Sequence, residues 1–74
     1  MEDLKNIIDS LLFVAEETLS LDRLKKILPQ AEAEAIREAV AALQAEYDAR
    51  PGGFYLAEVA GGYQFRSRPE YTPW

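Results

Sequence analysis

Three stretches with apolar residues at helical spacing, followed by two β-prone runs joined at a glycine pair, predict a mainly α domain. In that order they predict a winged helix-turn-helix: three helices followed by a two-stranded β-hairpin wing. A length of 74 residues leaves room for one domain, spanning 1–74.

The first helix is expected over residues 4–16. Leu4, Ile7, Ile8, Leu11, Leu12 and Ala15 form one stripe, with Lys5, Asn6, Asp9 and Glu16 opposite. Phe13 breaks the pattern, because it falls roughly 180° from Leu4, in the middle of the polar face. Thr18-Leu19-Ser20 interrupts the helix. Ser20 is a good N-cap for the next one, and Leu19 and Leu24 fit a hydrophobic staple across it. That second helix is expected over 21–28, with Leu21, Leu24, Ile27 and Leu28 inward and Arg23, Lys25 and Lys26 toward solvent; Pro29 ends it. The third is expected over 31–48, with Ile36, Val40, Leu43 and Tyr47 as a narrow stripe and many alanines raising helix propensity.

Arg50-Pro51-Gly52-Gly53 stops the third helix and turns the chain. Residues 54–60 then read as a strand, Gly61-Gly62 as a tight hairpin turn, and 63–68 as the returning strand. Such a turn places Leu56, Glu58 and Ala60 on one face with Tyr63, Phe65 and Ser67. Tyr55, Ala57, Val59, Gln64, Arg66 and Arg68 take the other. Neither face is cleanly apolar, so the pattern specifies the register only moderately. Phe65 and Leu56 are the expected core contacts. The sequence ends on Pro73-Trp74, an unusual finish that leads us to expect a longer parent chain.

Composition removes several classes of function. With neither cysteine nor histidine, disulfides and thiolate- or imidazole-ligated metals are excluded, and no cofactor is expected. There is no P-loop and no serine nucleophile elbow, and the thirteen carboxylates form no recognisable acid–base motif, so an enzyme is not expected. No stretch approaches the roughly 20 apolar residues of a membrane span, and the start Met1-Glu2-Asp3 is acidic, unlike a secretory signal. The expected setting is cytoplasmic. A net charge of −5 opposes capture of a polyanion. The third helix in particular carries Glu32, Glu34, Glu38, Glu46 and Asp48 against Arg37, a poor surface to present to phosphates. Arg66 and Arg68 on the wing, or Arg23, Lys25 and Lys26 on the second helix, are the weak nucleic-acid candidates, and a solvated charged face is the favoured reading of each.

Glu58-Val59-Ala60-Gly61-Gly62-Tyr63-Gln64-Phe65-Arg66, followed by Arg68-Pro69-Glu70-Tyr71, resembles the wing of the segregation and condensation protein B (ScpB) family. Ile7-Ile8, Leu11-Leu12-Phe13-Val14 and Leu19-Ser20-Leu21-Asp22-Arg23-Leu24 are similar to its first two helices. The resemblance covers nearly the whole chain. It implies the first of two winged-helix domains in a non-catalytic subunit of the bacterial SMC–kleisin complex. It also implies partners: a second copy of the chain in a homodimer, the kleisin ScpA and, through ScpA, the SMC ATPase. Nucleoid association would follow through that complex, and the runner-up is a winged-helix transcription regulator that binds DNA.

The residues expected at protein interfaces are Phe13, Val14, Tyr55, Tyr63, Tyr71 and Trp74. An exposed phenyl ring forgoes roughly 1.5–3 kcal/mol that burial would supply, so either a partner or the chain's own wing or tail should cover Phe13. The hairpin and tail hold more aromatic rings than a core this small needs, and tyrosine and tryptophan are enriched among interface anchors. Tyr71 and Trp74 are expected on a partner or on the following domain, with closure of the core as the alternative.

Overall fold

The computed structural model describes residues 3–50 and 52–68. Along the chain run α1 (Leu4–Val14), β1 (Leu19–Ser20), α2 (Leu21–Ile27), α3 (Ala33–Ala49), β2 (Phe54–Val59) and β3 (Gly62–Ser67). The three helices and the hairpin are those the sequence predicts, and β1 is an addition.

Helix α1 buries Leu4, Ile8 and Leu12, a strict four-residue repeat on one face, with Ile7 and Leu11 half-buried beside them. It stops at Val14, where Ala15 turns to extended backbone. In α2 the Ser20 cap forms as expected, its Oγ accepting from the Arg23 amide at 3.0 Å. Two side chains of α2 depart from expectation. Helical geometry ends at Ile27, so Leu28 swings into the core while Ile27 is left 42% exposed. Lys25 turns back rather than outward, its Nζ donating to the Pro29 carbonyl at 2.9 Å and the Ala31 carbonyl at 2.5 Å. A lysine at a helix C-terminus is well placed to satisfy carbonyls left without helical donors.

Helix α3 begins two residues later than predicted, because Ala31 is buried in the preceding turn, its amide donating to Leu28. Ile36, Val40 and Leu43 are buried, and Tyr47 closes the stripe edge-on against Phe65, with ring centroids 4.8 Å apart. Two polar contacts tie α1 to α3: an ion pair between Lys5 and Glu46, and a hydrogen bond from the Tyr47 hydroxyl to Asp9 at 3.0 Å.

The two-stranded hairpin wing forms as expected from β2 and β3, and the short β1 joins its β3 edge, giving a sheet in the order β1-β3-β2. β1 pairs antiparallel with β3 through Leu19–Tyr63 and Ser20–Gly62. Gly62 allows this approach: a Cβ placed there would lie 3.0 Å from Thr18 Cβ and 3.2 Å from the Leu19 carbonyl oxygen. The hairpin turn also moves. Val59 pairs with Gly62, so Ala60 and Gly61 form the turn, at φ +45° and +80°, the positive pair of a type I′ connection. The shift relative to a Gly61-Gly62 turn is an even one, so every side chain keeps its expected face. Leu56, opposite Phe65, faces the core.

Candidate protein-interaction surface

The helical stripe fixes where Phe13 stands. With Leu4, Ile8 and Leu12 committed to the core, the last turn of α1 points Phe13 and Val14 outward, 78% and 73% exposed. Phe54 opens β2 just after Gly52-Gly53 and is 59% exposed. Phe13 and Phe54 flank a cleft of about 370 Å³, lined also by Tyr47, Phe65 and Arg50. Tyr47 and Phe65 carry its inner surface, and the Arg50 guanidinium lies over the Tyr47 ring, Cζ 4.1 Å from the centroid. Burial, the Asp9 contact and the Asp9 charge together raise the Tyr47 phenol above its usual value, with Arg50 opposing them.

The remaining interface candidates lie elsewhere. Tyr63 is half-buried against the core near the hairpin turn. Burial raises its phenol, helped by the Glu58 charge. Tyr55 is half-buried on the opposite face of the sheet, with the Arg68 guanidinium 6.0 Å from its ring centroid. Tyr71 and Trp74 fall outside the described residues. Phe54 and Arg50 are functional candidates that the sequence reading passed over. Phe54 shares the strand parity of core-facing Leu56, and only its place at the strand's open end leaves it uncovered.

The two wing arginines differ. Arg66 is exposed, its Nε donating to Gln64 at 3.3 Å. Arg68 fastens the base of the hairpin to the end of α3. Its Nε donates to the Gly52 carbonyl at 2.8 Å, its Nη2 to the Tyr47 carbonyl at 2.7 Å, and its amide to Gly53 at 2.8 Å. A larger hollow of about 630 Å³ sits beside the hairpin turn, where Glu16, Glu17 and Asp22 outnumber Arg23 and Lys26. That balance does not favour a phosphate. On α3, Arg37 is already near Glu34, at 3.9 Å. Among the described residues no group of three or more potential metal ligands converges, and no helix is long and apolar enough to cross a membrane.

The family model for the segregation and condensation complex subunit ScpB matches residues 6–74. Segregation and condensation protein B of Syntrophotalea carbinolica is 39% identical over 72 residues, covering 97% of this chain and 36% of that protein. Its counterpart in Desulforamulus reducens is 37% identical over 70 residues, covering 95% of this chain and 38% of that protein. The chain thus spans little more than a third of the length of these two relatives. Among solved structures, a dimer of the ScpB N-terminal domain complexed with a ScpA peptide aligns with a TM-score of 0.83 at 25% identity, covering 97% of this chain and 89% of that one. Taken with the three helices and the hairpin wing described above, these matches show that the chain belongs to the ScpB family of segregation and condensation complex subunits.

Proposed function

We propose that this chain is a non-catalytic accessory domain of a bacterial SMC–kleisin complex, which self-associates and binds the kleisin ScpA in chromosome condensation and segregation. It is the first of two winged-helix domains in a longer cytoplasmic protein, which reaches the nucleoid through the complex. The observation that carries this reading is the outward-facing pair Phe13 and Val14 on the last turn of α1, in a domain whose net charge is −5. Bulky apolar surface of this kind is stabilised by another polypeptide, and the acidic balance limits nonspecific contact with DNA. The similar N-terminal domain solved as a dimer with a ScpA peptide supports both partners. The mechanism is surface complementarity: two copies bury the end of α1, and the kleisin docks on what remains exposed.

Sedimentation of the chain at micromolar concentration, and co-elution with ScpA on a sizing column, test the two halves separately. The expected results are a dimer and a ScpA complex; a monomer that passes ScpA unbound would refute the proposal. A gel shift separates it from a transcription regulator, since tight, sequence-selective duplex binding at physiological salt would favour the regulator.

A further inference from the structure

Of the large apolar side chains exposed among the described residues, Phe13 and Phe54 flank the same cleft, and Val14 follows Phe13 at the end of α1. Its one charged lining residue is Arg50. The ion pairs recorded among the described residues, Lys5–Glu46 and Arg37–Glu34, leave Arg50 out. One face of its guanidinium is stacked on Tyr47. The N–H groups of that guanidinium that are not turned to the Tyr47 hydroxyl can give a carboxylate a planar, two-toothed grip. Asp9 accepts from the Tyr47 hydroxyl and forms no ion pair with Arg50.

We propose that the cleft between Phe13 and Phe54 seats a short peptide of the partner protein that presents a bulky apolar side chain with a carboxylate beside it. The apolar group enters between the two phenyl rings and rests on Tyr47 and Phe65, while the carboxylate meets Arg50. A volume of about 370 Å³ suits one or two side chains of a peptide better than a broad folded surface. A second copy of this chain fits less well. A twofold contact centred on the cleft would bring two Arg50 guanidinium groups together with no counter-charge. Self-association is thereby left to Val14 and the outer side of Phe13, and peptide capture to the cleft. This assignment rests on the reading of the chain as a kleisin-binding domain and names the site and chemistry of that contact.

Overlapping synthetic peptides tiling ScpA, each fluorescently labelled, can be titrated against the chain and read by anisotropy. The tightest peptide should carry an Asp or Glu next to a large apolar residue. Phe54→Ala and Arg50→Glu should each weaken it by about tenfold, the loss expected for an interface anchor and for a reversed charge. Changing the peptide's carboxylate residue to Lys should restore binding to Arg50→Glu, a rescue that a folding defect would not produce. Sedimentation of both variants should show the dimer unchanged. Equal affinity for the parent chain and Arg50→Glu would overturn the proposal. So would loss of the dimer in these variants, which would assign the cleft to a second copy. Binding that appears only after residues 69–74 are removed would overturn it as well, marking the cleft as a seat for the chain's own tail. If intact ScpA co-elutes with the chain while no peptide depends on Arg50, this assignment fails and the broader function stands. If ScpA does not bind at all, both fail.

Discussion

Gly53, Gly61 and Gly62 lie within ten residues of one another, and their replacement by alanine should have three different outcomes. At Gly53 a Cβ meets nothing within 4 Å and the backbone is not left-handed. Alanine there reduces the entropy of the unfolded chain and should leave stability unchanged or raise it by about 0.4–1 kcal/mol. At Gly61 the space is equally open, but φ is +80°. An L-residue in that region costs roughly 1–2 kcal/mol, partly offset by the same entropy gain. At Gly62 no positive φ is needed and the obstacle is contact. The new Cβ would sit 3.0 Å from Thr18 Cβ, 3.1 Å from the Leu19 carbonyl carbon and 3.2 Å from its oxygen. Two of those atoms are backbone and cannot rotate away. β1 would have to move off β3, giving up the Leu19–Tyr63 and Ser20–Gly62 pairings. Overpacking of this kind costs about 1–3 kcal/mol, a large share of the roughly 3–5 kcal/mol that a domain this small can muster. Urea denaturation of the three variants with a common m-value reads the order directly: Gly53→Ala at or above the parent, Gly61→Ala below it, and Gly62→Ala lowest. Amide exchange at Leu19 and Tyr63, the pair that faces across the β1–β3 seam, should accelerate only in Gly62→Ala. A Gly62→Ala domain as stable as the parent would refute the close approach of β1.

Two further expectations follow from polar contacts. Arg68→Ala removes the contacts with the Tyr47 carbonyl of α3 and the Gly52 carbonyl of the turn after it and should cost about 1–3 kcal/mol, with faster amide exchange at the open end of the hairpin and little change at its turn. The Tyr47 phenol is raised from its ordinary value of 10.0, so the folded state holds that proton more tightly than the unfolded chain. Its contribution is therefore fully present below pH 10 and lost as pH climbs above it, a decline that Tyr47→Phe should lessen in an alkaline denaturation series. A steeper decline in the variant would contradict the assignment.

The helices were legible because their signals are local. A four-residue apolar repeat in α1, the Ser20 hydroxyl ahead of α2, and the Ile36–Val40–Leu43 stripe of α3 need no tertiary knowledge to interpret. β1 was not legible, since two residues are too few to show alternation and its partner lies more than forty residues away. The turn was misplaced by one residue because Gly61-Gly62 satisfies turn chemistry as a pair. In the structure the two glycines divide the work, Gly61 taking the positive φ and Gly62 making room for β1. Phe13 stood out because it violates its own helix's periodicity. Phe54 and Arg50 obey theirs, so nothing in the sequence alone separates them from a core strand residue and a helix-ending cation. Only the approach of the α1 and α3 termini to the sheet makes them one surface. The carbonyl contacts of Arg68 are equally invisible to a count of charges.

We propose that this acidic domain works by joining polypeptides through the apolar end of α1. Sedimentation equilibrium of the parent chain, Phe13→Ala and Ile27→Ala tests it most directly, because Ile27 is an exposed apolar residue on a different helix. A dimer is expected for the parent and Ile27→Ala, with the Phe13→Ala dimer at least about tenfold weaker at an unchanged helical signal, as loss of the roughly 1.5–3 kcal/mol of a buried ring requires. Three species with the same association constant, or a parent chain that stays at the mass of one copy, would contradict it.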